Sequence, residues 1–275
     1  MLKNILDLTS EEVAYYAHSM PFWITGFFQE NRRKVLVNGS PKSGTTWMFK
    51  LITSLPRYRG VGNFHGDKTR YNSVRPGDVV HGHDRYTSEL AQILAANGIR
   101  VVLLLRDPRD QLISRVFHIR RDSNHPWHTR LQAVELDEAI MACIEGCEGL
   151  PGARSMIELT ESWLDHGSDF LLVRYEKLLS DPKGELRRTL DFLGIEISMA
   201  LLDDIVVRSQ FERMASGKKF WKATRKPGQE DPNSHFRKGV VGDWKNYLTE
   251  DHIRRFKEVA GDQLIELEYE KNLDW

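Results

Sequence analysis

Four short apolar runs, each stopped by a polar or glycine turn, punctuate the chain: Val35–Val37 in "RKVLVNG", Val79–Val80 in "GDVVHGH", Val101–Leu105 in "GIRVVLLLRDP" and Leu171–Val173 in "SDFLLVRYE". They are short, rich in β-branched residues and apolar throughout, which predicts strands of a parallel sheet buried on both faces. Between them the apolar spacing widens to that of a helix, predicting helices behind the first strand in "TTWMFKLITSL" and over Ser88 to Ala96, Pro108 to Ile119, Leu136 to Gly146 and Ala153 to His166. Strands alternating with helices imply an α/β domain, its central parallel sheet covered by helices on both faces. A single domain over residues 1–275 is expected. Right-handed crossovers would gather the C-terminal strand ends on one edge, where such sheets bind ligands. Segments 56–76 and 217–238 carry little periodic signal and, with 117–132, are expected to form loops or lids around that edge.

The N-terminal segment is apolar in places, but Asp7, Glu11, Glu12, His18 and Pro21 interrupt it. Neither a signal-peptide core nor a spanning helix is expected there. The aromatics from Tyr15 to Phe28 suit an amphipathic element packed on the domain, or a greasy entrance to a binding site.

Composition agrees with a soluble globular protein, at 40% hydrophobic and 28% charged residues. Its net charge of +0 provides no global field for nucleic acid or an acidic membrane, so neither is an expected partner and any anion site must come from local clustering. Cys143 and Cys147 are the only cysteines. They offer no disulfide framework, suit a reducing cytoplasm, and read as packing residues on one face of a helix.

The loop after the first strand, "GSPKSGTTW", poses the chemical question. Gly39 and Gly44 have the spacing of a G-x-x-x-x-G-K-[ST] loop, but Thr45 stands where its lysine belongs and the lysine, Lys42, lies inside the loop. Amides from Ser43 to Thr46 at a helix N-terminus still form an anion cradle. A phosphate site remains, without the lysine and hydroxyl arrangement that serves a nucleoside triphosphate and magnesium.

"PKSGTTW" resembles the 5′-phosphosulfate loop of sulfotransferases that use 3′-phosphoadenosine 5′-phosphosulfate (PAPS). The resemblance implies that Lys42 meets the bridging oxygen, that Ser43, Gly44, Thr45 and Thr46 bind the 5′-phosphate, and that Trp47 stacks on adenine. PAPS also has a 3′-phosphate, so a second anion site is needed. "RDPRDQLIS" is similar to the family's 3′-phosphate motif, implicating Arg106 and Ser114, with Pro108 suited to a first helical turn. "FRKGVVGDWKNYLT" resembles the family's C-terminal signature and adds Arg237, Lys238 and Gly239. Two shorter resemblances, "VRYEKLLSDP" and "VRSQFERM", point to Tyr175, Ser209 and Phe211 around the base, Phe211 facing Trp47 across adenine.

Membership of that family implies a P-loop-containing sulfotransferase-like three-layer fold and transfer of the sulfuryl group to the hydroxyl of a small-molecule acceptor, releasing adenosine 3′,5′-bisphosphate (PAP). The reaction needs a base for the acceptor proton and a cation for the departing phosphate. "HGHDRY" is similar to the segment that carries the family's catalytic histidine, which aligns with His83; His81, two residues earlier, is the rival. Lys42 is the expected leaving-group cation, and no metal is expected. The rival functions are a small P-loop kinase and a non-catalytic nucleotide-binding protein. The acceptor stays open between an acidic or sugar-like compound greeted by Arg120, Arg121, His125 and His128, and a lipid or polyketide alcohol received by the N-terminal aromatics. Glu250 and Arg254 replace the valine and glutamate of the family's dimerisation pattern, which disfavours that interface.

Overall fold

The computed structural model describes residues 32–64, 66–167, 169–210, 227–229, 231 and 237–275. The N-terminal aromatics, Phe211 and most of segment 217–238 lie outside the described residues.

Five parallel strands form one sheet in the order β2-β3-β1-β4-β5: β1 Lys34–Gly39, β2 Arg59–Asn63, β3 Asp78–His81, β4 Ile99–Leu105 and β5 Phe170–Arg174. Along β1, Val35 and Val37 join one apolar cluster and Leu36 the other; along β4, Val102 and Leu104 alternate with Val101 and Leu103. The unbroken apolar runs thus serve two cores, one on each face of the sheet. The first core is closed by α1 (Thr45–Thr53) and, near the end of β5, by α7 (Tyr175–Ser180), α8 (Pro182–Leu193) and α9 (Met199–Arg208). The opposite face carries α2 (Ser88–Ala96), α3 (Pro108–Arg121), α5 (Leu136–Glu145), α6 (Ala153–His166) and α10 (Glu250–Glu266), with the short α4 (His128–Gln132) after α3. Among the described residues no helix is long and apolar enough to cross a membrane.

The four expected strands and five expected helices are present. Segment 56–76 is not simply a loop: it contains β2 and a 3-10 turn over Lys68–Ser73. The two cysteines also differ from expectation. Gly146 adopts φ 76 and ends α5, leaving Cys143 buried on the helix and Cys147 exposed beyond it. The segment that departs from the dimerisation pattern begins α10, where Thr249 and His252 cap the helix reciprocally and Glu250 and Asp251 favour the positive end of its dipole.

β1 is central, with β3 on one side and β4 on the other. The chain therefore changes direction across the sheet at the C-terminal end of β1, the place where open α/β sheets leave a crevice.

Candidate active site

One cavity at that crevice is lined by Pro41, Lys42, Gly44, Thr45, Thr46 and Trp47 after β1, His81 and His83 at the end of β3, and Arg106 after β4. Ser114 and His118 from α3, Tyr175 after β5, and Arg237, Lys238, Gly239 and Val240 near the C-terminus complete it. Residues nearly 200 positions apart thus meet around one space. Ser43 is buried directly beneath it, Ser209 caps the end of α9 without lining it, and Phe211 lies outside the described residues.

The loop after β1 is held from several sides. Ser40 Oγ donates to the Met156 carbonyl (2.9 Å), Gln111 Nε2 to the Pro41 carbonyl (2.7 Å), and Arg106 Nη1 to the Lys42 carbonyl (3.3 Å). Lys42 has φ 73, a left-handed conformation costing a non-glycine residue about 1–2 kcal/mol. Gly44, at φ 101, starts α1; a Cβ there would stand 2.7 Å from Tyr175 Cδ2, so only glycine lets the tyrosine ring lie against the loop. The Ser43 amide donates back to Ser40 (3.2 Å), which narrows the expected amide cradle to the donors at the start of α1.

On the opposite wall, Asp110 of α3 is buried and accepts the amides of Gly242 (2.7 Å) and Trp244 (2.9 Å), pinning the C-terminal loop to the helix. Within that loop Asp243 pairs with Arg237 and with Lys238 Nζ (3.0 Å), and Lys238 also donates to Tyr247 Oη (2.9 Å). Arg106 reaches across to the Val240 carbonyl (3.4 Å) and stacks over Tyr175 at 4.3 Å. The loop and the C-terminal segment are therefore joined through one guanidinium.

Electrostatics follow from this crowding. Burial, followed by the positive charges of Arg121, Arg106 and Arg237, lowers the Lys42 pKa from 10.5 to about 7. The same concentration of cations is unfavourable by itself and awaits an anion. Four buried polar atoms around the cavity, Ser43 Oγ, Trp47 Nε1, His81 Nε2 and Arg106 Nε, have no hydrogen-bond partner among the described residues. Such orphans are rare in folded proteins and point to a polar ligand.

His83 Nδ1 lies 2.6 Å from the Gly39 carbonyl. A carbonyl only accepts, so Nδ1 carries the hydrogen and Nε2 the lone pair. The His81 ring meets that of His83 edge-on at 4.9 Å, and burial, with the neighbouring His83, lowers its pKa to about 4. His81 is thus neutral at physiological pH.

Comparison with known proteins places this arrangement. The family model described as "Sulfotransferase domain" matches residues 32–268. The chain belongs to the sulfotransferase family. It is 25% identical to Sulfotransferase 2A6 of Mus musculus over 82% of each chain, and 27% identical to Cytosolic sulfotransferase 3 of Arabidopsis thaliana over 81% of this chain and 74% of the relative. Its fold resembles that of mouse sulfotransferase SULT7A1 complexed with PAP, with a TM-score of 0.65, 22% identity and 84% coverage of both chains. A retinol dehydratase bound to androsterone and PAP superposes with a TM-score of 0.59 at 19% identity, over 89% of this chain and 85% of that one. The expected fold class and family stand, and the reaction class of this sulfotransferase is sulfuryl transfer to a hydroxyl acceptor.

Sequence reasoning missed the roles of Asp110, Gln111 and Asp243, which lie inside the phosphate motifs but hold the site rather than line its cavity. It took in His118 only as part of segment 117–132 and did not single it out, although its place one helical turn after Ser114 put it on the same face of α3.

Proposed function

We propose that this sulfotransferase uses PAPS as donor, with His83 as general base toward the acceptor hydroxyl and Lys42 as the cation beside the leaving phosphate. The observation that carries the reading is the convergence on one cavity of the loop around Lys42, the Arg106–Ser114 pair and Arg237–Gly239, with a histidine of defined tautomer among them. PAPS supplies the sulfuryl group to be transferred. Helix-end donors at Thr45 and Thr46 suit its 5′-phosphate, and the buried Ser43 Oγ, which has no hydrogen-bond partner among the described residues, supports the same placement. Arg106, Ser114, Arg237, Lys238 and Gly239 suit the 3′-phosphate, and Trp47, with Tyr175 edge-on at 6.1 Å, suits the adenine. The Gly39 carbonyl keeps the His83 lone pair on Nε2 and stabilises the imidazolium formed when a proton is taken. A protonated Lys42 has no proton to accept; it offsets charge developing on the departing oxygen.

Calorimetry with PAP, and with ATP plus magnesium, tests the reading, followed by turnover of PAPS with a panel of phenols and alcohols. PAP is expected to bind in the micromolar range or tighter, and ATP at least tenfold more weakly. Preference for ATP would support phosphoryl transfer, and PAP binding without turnover of any acceptor would leave a nucleotide-binding protein.

A further inference from the structure

Arg120 and Arg121 at the end of α3, and His125 and His128 beyond it, are candidates for acceptor recognition, and the structure separates them. Arg120 Nη1 donates to the carbonyls of Leu131 (2.7 Å) and Val134 (2.9 Å), which ties down the segment that follows. His128 Nδ1 lies 3.1 Å from the Ile119 carbonyl, and His125 Nδ1 accepts the Trp127 amide (3.2 Å). These contacts shape the backbone. Arg121 does something else: from the end of α3 it turns back one turn, placing Nη2 2.7 Å from His118 Nδ1.

A guanidinium only donates, so His118 Nδ1 accepts and its hydrogen sits on Nε2. His118 lines the cavity one turn beyond Ser114 and therefore lies past the residues proposed for the two phosphates. Burial and the nearby charges of Lys42 and Arg121 lower its pKa to about 4, so it is a neutral donor. Arg121 exerts the largest charge effect on Lys42, ahead of Arg106 and Arg237. The carboxylate of Asp122, which also acts on His118, accepts the Asn124 amide at 3.1 Å.

We propose that His118 and Arg121 form an acceptor subsite that selects hydroxyl compounds bearing a carboxylate, the Arg121 charge attracting the acid and the His118 Nε2–H orienting it. The proposal rests on the sulfotransferase site assigned above and adds the chemical class of the acceptor. A carboxylate here also offsets the positive charge that depresses Lys42, so an acidic acceptor favours the protonated lysine. Binding and leaving-group stabilisation are thereby coupled.

The test compares 4-hydroxyphenylacetate with 2-(4-hydroxyphenyl)ethanol, a neutral phenol of similar size, binding to the full chain saturated with PAP. The acid is expected to bind at least tenfold more tightly. Arg121→Gln should bring the ratio of the two dissociation constants close to one, and Arg121→Lys should restore part of the preference; circular dichroism and thermal melting check that both variants fold. PAP affinity, measured first, separates the two levels of the argument. No PAP binding by the wild type overturns the donor assignment and this proposal with it. PAP binding with no preference for the acid, or a preference that survives in Arg121→Gln, overturns the acceptor subsite alone.

Discussion

Binding of PAP to this protein should take up a proton at pH 8, and Lys42 should be the group that receives it. In the free enzyme burial and three neighbouring guanidinium groups hold the lysine at about 7, against 10.5 for an ordinary lysine. At pH 8 only about a tenth of the molecules then carry a charged Lys42. Phosphate groups brought among the same cations remove the repulsion and favour the ammonium form. If they raise its pKa only to about 9, the protonated fraction becomes roughly 0.9, an uptake of about 0.8 proton per PAP. At pH 7 the uptake falls to about half a proton, because half of the free enzyme is already charged. Linkage gives the sign of the pH dependence: above about pH 7, affinity should weaken as pH rises, approaching tenfold per unit until the bound-state pKa is reached. Titration calorimetry at pH 8 in Tris and in Hepes measures the uptake as the slope of observed enthalpy against buffer ionisation enthalpy. The second ionisation of a phosphate lies near 6, so the ligand is already deprotonated at this pH. His81 and His118, both held at about 4, would need shifts of more than four units to contribute. Lys42→Met should abolish the slope. A wild-type slope of zero, or equal slopes in wild type and variant, would refute the electrostatic reasoning.

Arg106→Ala should weaken PAP at least tenfold more than adenosine 5′-phosphate, since a charge-assisted hydrogen bond contributes ~1.5–3 kcal/mol; equal losses would remove Arg106 from the 3′-phosphate. His83→Asn should retain PAP binding while turnover falls ~10²-fold or more, and His81→Asn should cost less. Were His81→Asn the inactive variant, the base would be the wrong histidine. Asp110→Ala should lower stability by about 1–3 kcal/mol in urea unfolding, because the buried amides of Gly242 and Trp244 lose their acceptor. The same variant should weaken PAP by freeing the loop that carries Arg237 and Lys238; unchanged affinity would mean the loop is positioned by its own contacts.

Local chemistry made most of the sheet legible. β1, β3 and β4 declare themselves because the sheet buries them on both faces, and the half-buried edge strand β5 keeps an apolar run because Leu171 packs on one core and Phe170 and Leu172 on the other. β2, with the sequence "RGVGN", contains two glycines and exposes most of its length; it is a strand because β3 offers it an edge, and pairing of that kind leaves no local pattern. Pro108 announced the start of α3, since a proline at the first turn is a local device, and the structure adds Asp107 as its cap. The turn at Gly146 was harder to place than the helix before it, and the pairing of Cys143 with Cys147 on one face failed for that reason.

The site divides along the same line. Its phosphate motifs are contiguous, and each could be read without knowing where the others lay. What joins them cannot be read in that way: Asp110 accepts amides more than 130 residues further along the chain, and the Lys42 pKa reflects arginines from three separate segments. A neutral chain can have a strongly cationic cavity because these charges are scattered in sequence and gathered only by the sheet edge. This also explains why the acceptor was left open. Arg120 and Arg121 are adjacent and chemically identical, but one is held by the carbonyls of Leu131 and Val134 while the other turns back to His118 at the cavity wall. Residue type identified the possible chemistry, and the direction of the last turn of α3 decides which arginine can take part in it.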